Sequence, residues 1–123
     1  MKFEDLLKRY SFNDGETLGL TTDFRNKTIS ILLNVRRFIR KKKLEKCLIS
    51  LEFIEATTFD IIEDFTTAGS YSDIKFLKNE NGEFYISIDP YDNTSNSNQR
   101  DNFVIKSNLL TIVNEFGDRL KIE

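Results

Sequence analysis

The chain has 123 residues, of which 39% are hydrophobic, and its formal net charge is −2. This size suits one globular domain, predicted over residues 1–123, that can bury a core without a disulfide or a metal. A single cysteine, Cys47, excludes an intramolecular disulfide, and the lack of histidine removes the commonest catalytic base and metal ligand.

The start of the chain shows no signal-peptide pattern, and no apolar run approaches the roughly 20 residues that span a bilayer. We therefore expect a cytoplasmic protein without a membrane partner. Apolar residues at helical spacing predict a short N-terminal helix; they are Phe3, Leu6, Leu7 and Tyr10. The turn residues 13–15 are expected to end it. Strands are predicted over residues 17–23 and 28–35, joined as a hairpin.

Residues 36–43 hold six positive charges in eight positions. Strand extension, a loop and a helical turn all remain open for this segment. Alternating apolar residues predict a third strand over 47–54, which continues through 57–63 after a bulge near residues 55–56. A loop is expected at 66–70.

The segment from Ile74 to Val113 has the strongest strand pattern, since apolar residues alternate and predict one buried face. Asn81-Gly82 predicts a type I′ hairpin turn with positive φ at both central residues. Pro90 is expected to end the second strand of this ribbon. Residues 92–102 are polar and predict a mobile surface loop, and 103–113 a closing strand. The tail from residue 114 has no assignable pattern.

Together these patterns predict a mainly β fold, either an antiparallel sandwich or a partly open barrel of about six to eight strands with a short N-terminal helix. An α+β fold is the alternative. Turn residues separate the strands at short intervals, which is typical of antiparallel sheets.

No catalytic residue, metal site or cofactor is predicted. One cysteine and no histidine cannot supply a zinc site, and no glycine-rich phosphate loop is present. Cys47 on an apolar strand is expected to be a buried, inert thiol. Acidic clusters at 52/55, 60/63/64 and 89/92 could do acid–base chemistry, but solvated strand edges and turns are the favoured interpretation.

Four segments occur in a familiar order between residues 13 and 113. They are Cys-Leu-Ile-Ser-Leu-Glu-Phe, Phe-Asp-Ile-Ile-Glu-Asp, Phe-Tyr-Ile-Ser-Ile-Asp-Pro-Tyr-Asp and Asp-Asn-Phe-Val-Ile-Lys-Ser. This order resembles the small β-rich immunity proteins of bacterial polymorphic-toxin systems and related uncharacterised bacterial domains. The resemblance implies a non-enzymatic cytoplasmic protein that binds and blocks a toxin domain.

Two surfaces are candidates for binding. The long polar loop suggests a protein-partner surface, with candidate residues Asp89, Tyr91, Asp92, Arg100 and Asp101. The basic strip suggests a nucleic-acid or anionic-surface site, with candidate residues Arg36, Arg37, Arg40, Lys41, Lys42 and Lys43. A charged edge that blocks aggregation is the favoured interpretation of the strip. A protein partner is therefore preferred to nucleic acid, and an uncharacterised structural domain is a further alternative.

Overall fold

The computed structural model describes residues 1–40, 42–61 and 74–123. Within these residues, one helix, α1 (Phe3–Arg9), is followed by seven strands of one antiparallel sheet. The strands are β1 (Tyr10–Asp23), β2 (Thr28–Arg40), β3 (Lys43–Asp60), β4 (Lys75–Lys78), β5 (Phe84–Asp89), β6 (Asn102–Val113) and β7 (Arg119–Ile122). Their order is β1-β2-β3-β6-β5-β4, and β7 also pairs with β6. The sheet curls into a half-barrel, which confirms the mainly β, partly open barrel prediction.

The hydrophobic core lies against one face of the curled sheet. On β2 and β3 the predicted alternation holds, because Ile31 pairs with Leu51 and both side chains are fully buried. Phe76 on β4 lies among aromatic rings, with centroid distances of 5.0 Å to Phe3 and 4.9 Å to Phe12. Each such buried side chain contributes about 1.5–3 kcal/mol through the area it removes from water. Phe76 thus brings β4 into contact with the helix through Phe3 and with β1, at the other end of the sheet order, through Phe12.

The helix ends earlier than its spacing predicts. α1 stops at Arg9, and Tyr10 begins β1, where Tyr10 and Phe12 both point into the core. Residues 13–15 form no terminating turn; they lie in an irregular stretch of β1 between two register positions of the ladder. A Cβ on Gly15 would lie 2.8 Å from the Ile74 Cδ1 and 2.9 Å from the Phe12 carbonyl oxygen. Glycine is required there for close packing rather than for a chain reversal.

Residues 36–40 of the basic segment continue the strand. β2 runs to Arg40 and β3 begins at Lys43, with Lys42 at φ +68° between them. The predicted bulge in β3 is confirmed: Glu55 has φ +53°, and the register with β6 shifts between residues 56 and 58. The predicted loop at 66–70 and the end of the predicted strand 57–63 lie outside the described residues.

The β4–β5 turn is confirmed as a hairpin but not as type I′. Asn81 does not have a positive φ, whereas Gly82 has φ +77°. The Gly82 amide donates to the Asn79 carbonyl, and the Asn79 amide donates to the Glu83 carbonyl. This pattern is the three-residue hairpin with a glycine bulge. The Asn79 side-chain oxygen also accepts from the amides of Asn81 and Glu83.

The same turn occurs again near the end of the chain. Gly117 has φ +84°, and its amide donates to the carbonyl of Asn114. The Asn114 side-chain oxygen accepts from the amides of Phe116 and Asp118. Residues 79–83 and 114–118 share the pattern Asn-Glu-any-Gly-acid. This pattern identifies the second turn and, with it, strand β7, which the sequence analysis left unassigned.

The ribbon from Ile74 to Val113 is buried on both faces at its β4–β5 end. Phe84 and Ile86 face the main core, and Tyr85 packs with Leu77 and Val104 in a second apolar cluster. The prediction of one buried face was therefore incomplete. Polar residues beyond β5 cover the second face.

Candidate partner-binding surface

A buried lysine anchors the long polar loop, residues 90–101, to β4. The side chain of Lys75 is 4% exposed. Its ammonium group lies 2.6 Å from a carboxylate oxygen of Asp92, 2.9 Å from the Asn96 carbonyl and 3.0 Å from a carboxylate oxygen of Asp101. All three acceptors belong to the loop. A buried charge is tolerated when it is paired and hydrogen-bonded in this way.

Asp101 is the second anchor of the loop. It is 1% exposed, and it accepts hydrogen bonds from the Tyr85 hydroxyl at 2.6 Å, the Tyr91 amide at 2.9 Å and the Asn98 amide at 3.0 Å. Burial raises the pKa of this carboxyl, but the bonds from Tyr85, Tyr91, Lys75 and Asn98 outweigh burial and leave the pKa below its usual value. Asp101 therefore stays ionised and holds the loop from inside.

The network also shifts the pKa values of Asp92 and Tyr85. The hydrogen bond from Lys75, supported by Thr94, lowers the pKa of Asp92 to about 2. Burial and the bond to Asp101 raise the pKa of the Tyr85 hydroxyl, which therefore remains protonated. The loop predicted over residues 92–102 is not confined to the surface, because Asp92 and Asp101 near its ends are bonded to the buried Lys75.

The five residues predicted to bind a partner have different positions. Tyr91 is 57% exposed, and the Arg100 guanidinium lies 5.3 Å from its ring centroid and donates to its hydroxyl at 3.3 Å. Asp89 and Asp92 are half-buried, and Asp89 accepts from the Asn102 side-chain amide at 3.0 Å. Asp101 is buried, so its assignment to an exposed partner surface is corrected. Tyr91 and Arg100 present the stacked pair that faces solvent.

A cleft of about 490 Å³ lies beside this loop, between β1 and β4. Its lining combines apolar side chains such as Leu7 and Phe38 with the polar loop segment 92–95. A backbone hydrogen bond of 3.4 Å from the Ile74 amide to the Asn13 carbonyl joins the two sides. The cleft arises because the curl of the sheet brings β1 and β4 together. The sequence analysis missed it, since no local pattern encodes the approach of two distant strands.

The basic strip is divided by the structure. Arg36, Arg40, Lys42 and Lys43 are exposed and form no ion pair among the described residues. Arg37 differs: its guanidinium lies 3.4 Å from carboxylate oxygens of both Glu45 and Glu115 and 5.5 Å from the Phe116 ring. The Lys41 position lies outside the described residues. The strip thus contains a structural arginine beside a set of unpaired cations.

Glu115 connects Arg37 to the core. It accepts a hydrogen bond of 2.6 Å from the buried Tyr10 hydroxyl. Burial raises the pKa of Glu115, but the Tyr10 bond and Arg37 outweigh burial and lower it. Cys47 is half-buried rather than buried as predicted, and burial together with Glu115 raises the pKa of its thiol, which favours the protonated form. The second Asn-Glu-any-Gly-acid turn positions Glu115, a signal that the sequence analysis did not use.

Other chemistry receives little support from the geometry. Within residues 1–40, 42–61 and 74–123, no group of three or more histidine, cysteine or acidic side chains could hold a metal ion. Glu52 bonds to Arg119 and Asp92 to Lys75, so these acidic side chains are engaged in ion pairs. In the same part of the chain, no helix has the length and apolar character to cross a membrane.

The described part of the chain therefore presents three surface features: the Tyr91–Arg100 pair, the cleft, and the exposed cations of the basic strip that form no ion pair there. Phe38 places the β2–β3 hairpin at the cleft, and residues 92–95 place the polar loop there. In comparisons with known proteins, no family model, no curated protein and no solved structure matches this chain.

Proposed function

We propose that this chain is a non-enzymatic, cytoplasmic protein-binding domain, and that it acts as an immunity protein that binds and blocks a bacterial toxin domain. The supporting observation is the polar loop, which Lys75 and Asp101 hold in place while Tyr91 and Arg100 remain exposed. A loop that is ordered before binding loses less conformational entropy in the complex. Tyrosine and arginine are also the residues most enriched among energetically dominant interface contacts.

Charge complementarity supports a cationic target. Outside the basic strip the chain has 12 basic and 20 acidic residues, a net charge of −8. This negative charge accelerates and orients the encounter with a positively charged partner, such as a nuclease domain. The toxin assignment itself comes from the strand order and sequence segments that resemble immunity proteins.

The test is co-expression with the toxin domain encoded beside this gene. We expect the wild-type chain to restore growth and to co-purify with that domain. Tyr91→Ala with Arg100→Ala is expected to weaken the complex about 30-fold, the loss of a hot-spot contact of about 2 kcal/mol. Phe24→Ala is the matched control, since Phe24 is an 89% exposed aromatic in the β1–β2 turn. No rescue and no complex with this neighbour would refute the proposal.

A second candidate function uses the basic strip to bind nucleic acid or another anionic surface. The unpaired state of Arg36, Arg40, Lys42 and Lys43 among the described residues favours it. Such binding would weaken steeply with salt and disappear when Arg36, Arg37, Arg40 and Lys42 are changed to alanine. Because Arg37 also bonds to Glu45 and Glu115, a variant that keeps Arg37 is the cleaner test.

A further inference from the structure

The β2–β3 hairpin projects beyond the sheet that supports it. The pairing of β1 with β2 begins at Tyr10 and Arg37, and the pairing of β6 with β3 ends at Val113 and Ser50. Residues 38–40 of β2 therefore extend past β1 by about 10 Å, at roughly 3.3 Å per residue. We call residues 36–40 and 42–46 the basic hairpin.

The exposed chemistry of the basic hairpin is both cationic and apolar. Its exposed cations without an ion pair among the described residues are Arg36, Arg40, Lys42, Lys43 and Lys46. Phe38, Ile39 and Leu44 are 47%, 41% and 40% exposed. Lysines at a sheet edge prevent aggregation, which would explain the positive charge of the hairpin. It would not explain three exposed apolar side chains at the same end of the hairpin.

The register places these groups in neighbouring rows. Arg36 lies opposite Lys46, and Phe38 lies opposite Leu44. Like charges in direct cross-strand pairs are unfavourable, and exposed apolar side chains gain free energy when they leave water. A surface that supplies negative charge next to an apolar layer would therefore satisfy both rows.

We propose that the basic hairpin docks on the surface of an anionic phospholipid bilayer. The cations contact lipid phosphate and carboxylate groups, while Ile39 and Leu44 enter the boundary of the acyl chains. Aliphatic side chains gain from leaving water for hydrocarbon, whereas stacking on nucleic-acid bases requires aromatic rings. Of the three apolar side chains at the tip, Phe38 alone is aromatic, and it also lines the cleft. The composition therefore favours lipid over nucleic acid.

Two further points agree with this docking. The −8 charge outside the basic strip would be repelled by an anionic membrane, which orients the hairpin toward the lipid. The expectation of no membrane partner rested on the lack of a spanning segment. A hairpin that lies in the interface requires no such segment.

The test is co-sedimentation with vesicles of phosphatidylcholine, with and without phosphatidylserine. We expect wild-type protein to bind the phosphatidylserine vesicles, to remain free of pure phosphatidylcholine and to dissociate as salt is raised. Replacing Arg40, Lys42 and Lys43 by glutamine is expected to weaken binding about 100-fold, from about 1 kcal/mol per cation near the surface. The matched control is Arg25→Gln with Lys27→Gln, which removes exposed cations from the β1–β2 turn at the other end of β2.

A second variant separates lipid from nucleic acid. Ile39→Ser with Leu44→Ser leaves every cation in place and is expected to weaken vesicle binding at least tenfold, because two apolar side chains no longer enter the bilayer. Unchanged unfolding midpoints verify that the variants are folded. Equal vesicle binding by wild-type protein and the glutamine variant overturns the proposal, as does binding to DNA or RNA without binding to vesicles. Neither variant alters Tyr91 or Arg100, so loss of vesicle binding with an intact toxin complex separates the two proposals.

Discussion

The polar loop and the basic hairpin are both rich in charged residues, but their charges differ in burial and pairing. In the loop, Asp92 and Asp101 bond to Lys75, whose side chain is nearly inaccessible to water. In the hairpin, Arg40 and Lys43 are exposed and have no ion pair among the described residues. A charged segment can therefore be part of the folded interior or of the exposed surface, depending on what lies opposite it.

The largest effect is expected from Asp101→Ala. This change leaves the Lys75 ammonium buried without its fully buried partner and removes the acceptor of the Tyr85 hydroxyl. Breaking a buried ion pair from one side costs about 3–5 kcal/mol of the free energy of unfolding, which urea denaturation would measure. Asp118→Ala, at an exposed turn position, is the control and is expected to change little. If Asp101→Ala lowers the free energy of unfolding by less than about 1 kcal/mol, the buried charges of the loop do not stabilise the fold as proposed.

A double variant tests whether Lys75 and Asp101 stabilise the fold as a pair. Lys75→Met with Asp101→Asn removes both charges and keeps similar side-chain volumes. We expect it to be less destabilised than the sum of its single changes, because no fully buried charge is left unpaired. Asp92 also loses its bond from Lys75, but it is half-buried and keeps its hydrogen bonds from Thr94 and Asn98. A double-mutant cycle in urea measures the coupling. Strictly additive effects would show that Lys75 and Asp101 do not act as a pair.

A smaller, pH-dependent effect is expected in the loop but not in the hairpin. The pKa of Asp92 is lowered to about 2, and that of Asp101 is lowered as well. Lowered folded-state pKa values give stability that is present above the usual aspartate pKa of about 3.9 and is lost as pH falls through the folded values. Amide hydrogen exchange at Tyr91 and Asn98 is expected to rise as pH falls from about 4 toward 2, relative to exchange in the hairpin and after correction for the intrinsic rates.

The smallest effect concerns the hairpin itself. Lys46→Glu places an acid opposite Arg36, where two cations now face each other across the ladder. Replacing a like-charge pair by an opposite pair is expected to stabilise the fold by about 0.2–1 kcal/mol, and salt is expected to reduce the gain. Lys27→Glu, in the β1–β2 turn, is the control. Destabilisation by Lys46→Glu would mean that the cations of the hairpin contribute to folding.

Much of the strand pattern could be predicted because it depends on neighbours within a few residues. Alternation along β2 and β3 identified the core face, and the confirmed bulge near Glu55 followed from a break in that alternation. The pattern for α1 was correct in type, but its end was not. Tyr10 satisfies helical spacing and strand spacing equally well, and packing into the sheet core decided between them.

The site was less predictable than the fold. Tyr91 and Arg100 were correctly placed on a loop, and the structure leaves them exposed as a stacked pair. Asp101 has the same polar neighbours in sequence, yet it is buried. Its partner Lys75 lies 26 residues earlier, so no local composition could distinguish an anchoring carboxylate from an exposed one.

Local sequence was enough to predict the mainly β character, the alternation of the core strands and the position of the β4–β5 hairpin, because backbone propensity and side-chain periodicity act over short distances. Which charges are buried and where α1 ends and β1 begins depend on the tertiary structure. The cleft that β1 and β4 enclose depends on it as well. These features require residues far apart in the chain to meet, and the curl of the whole sheet brings them together.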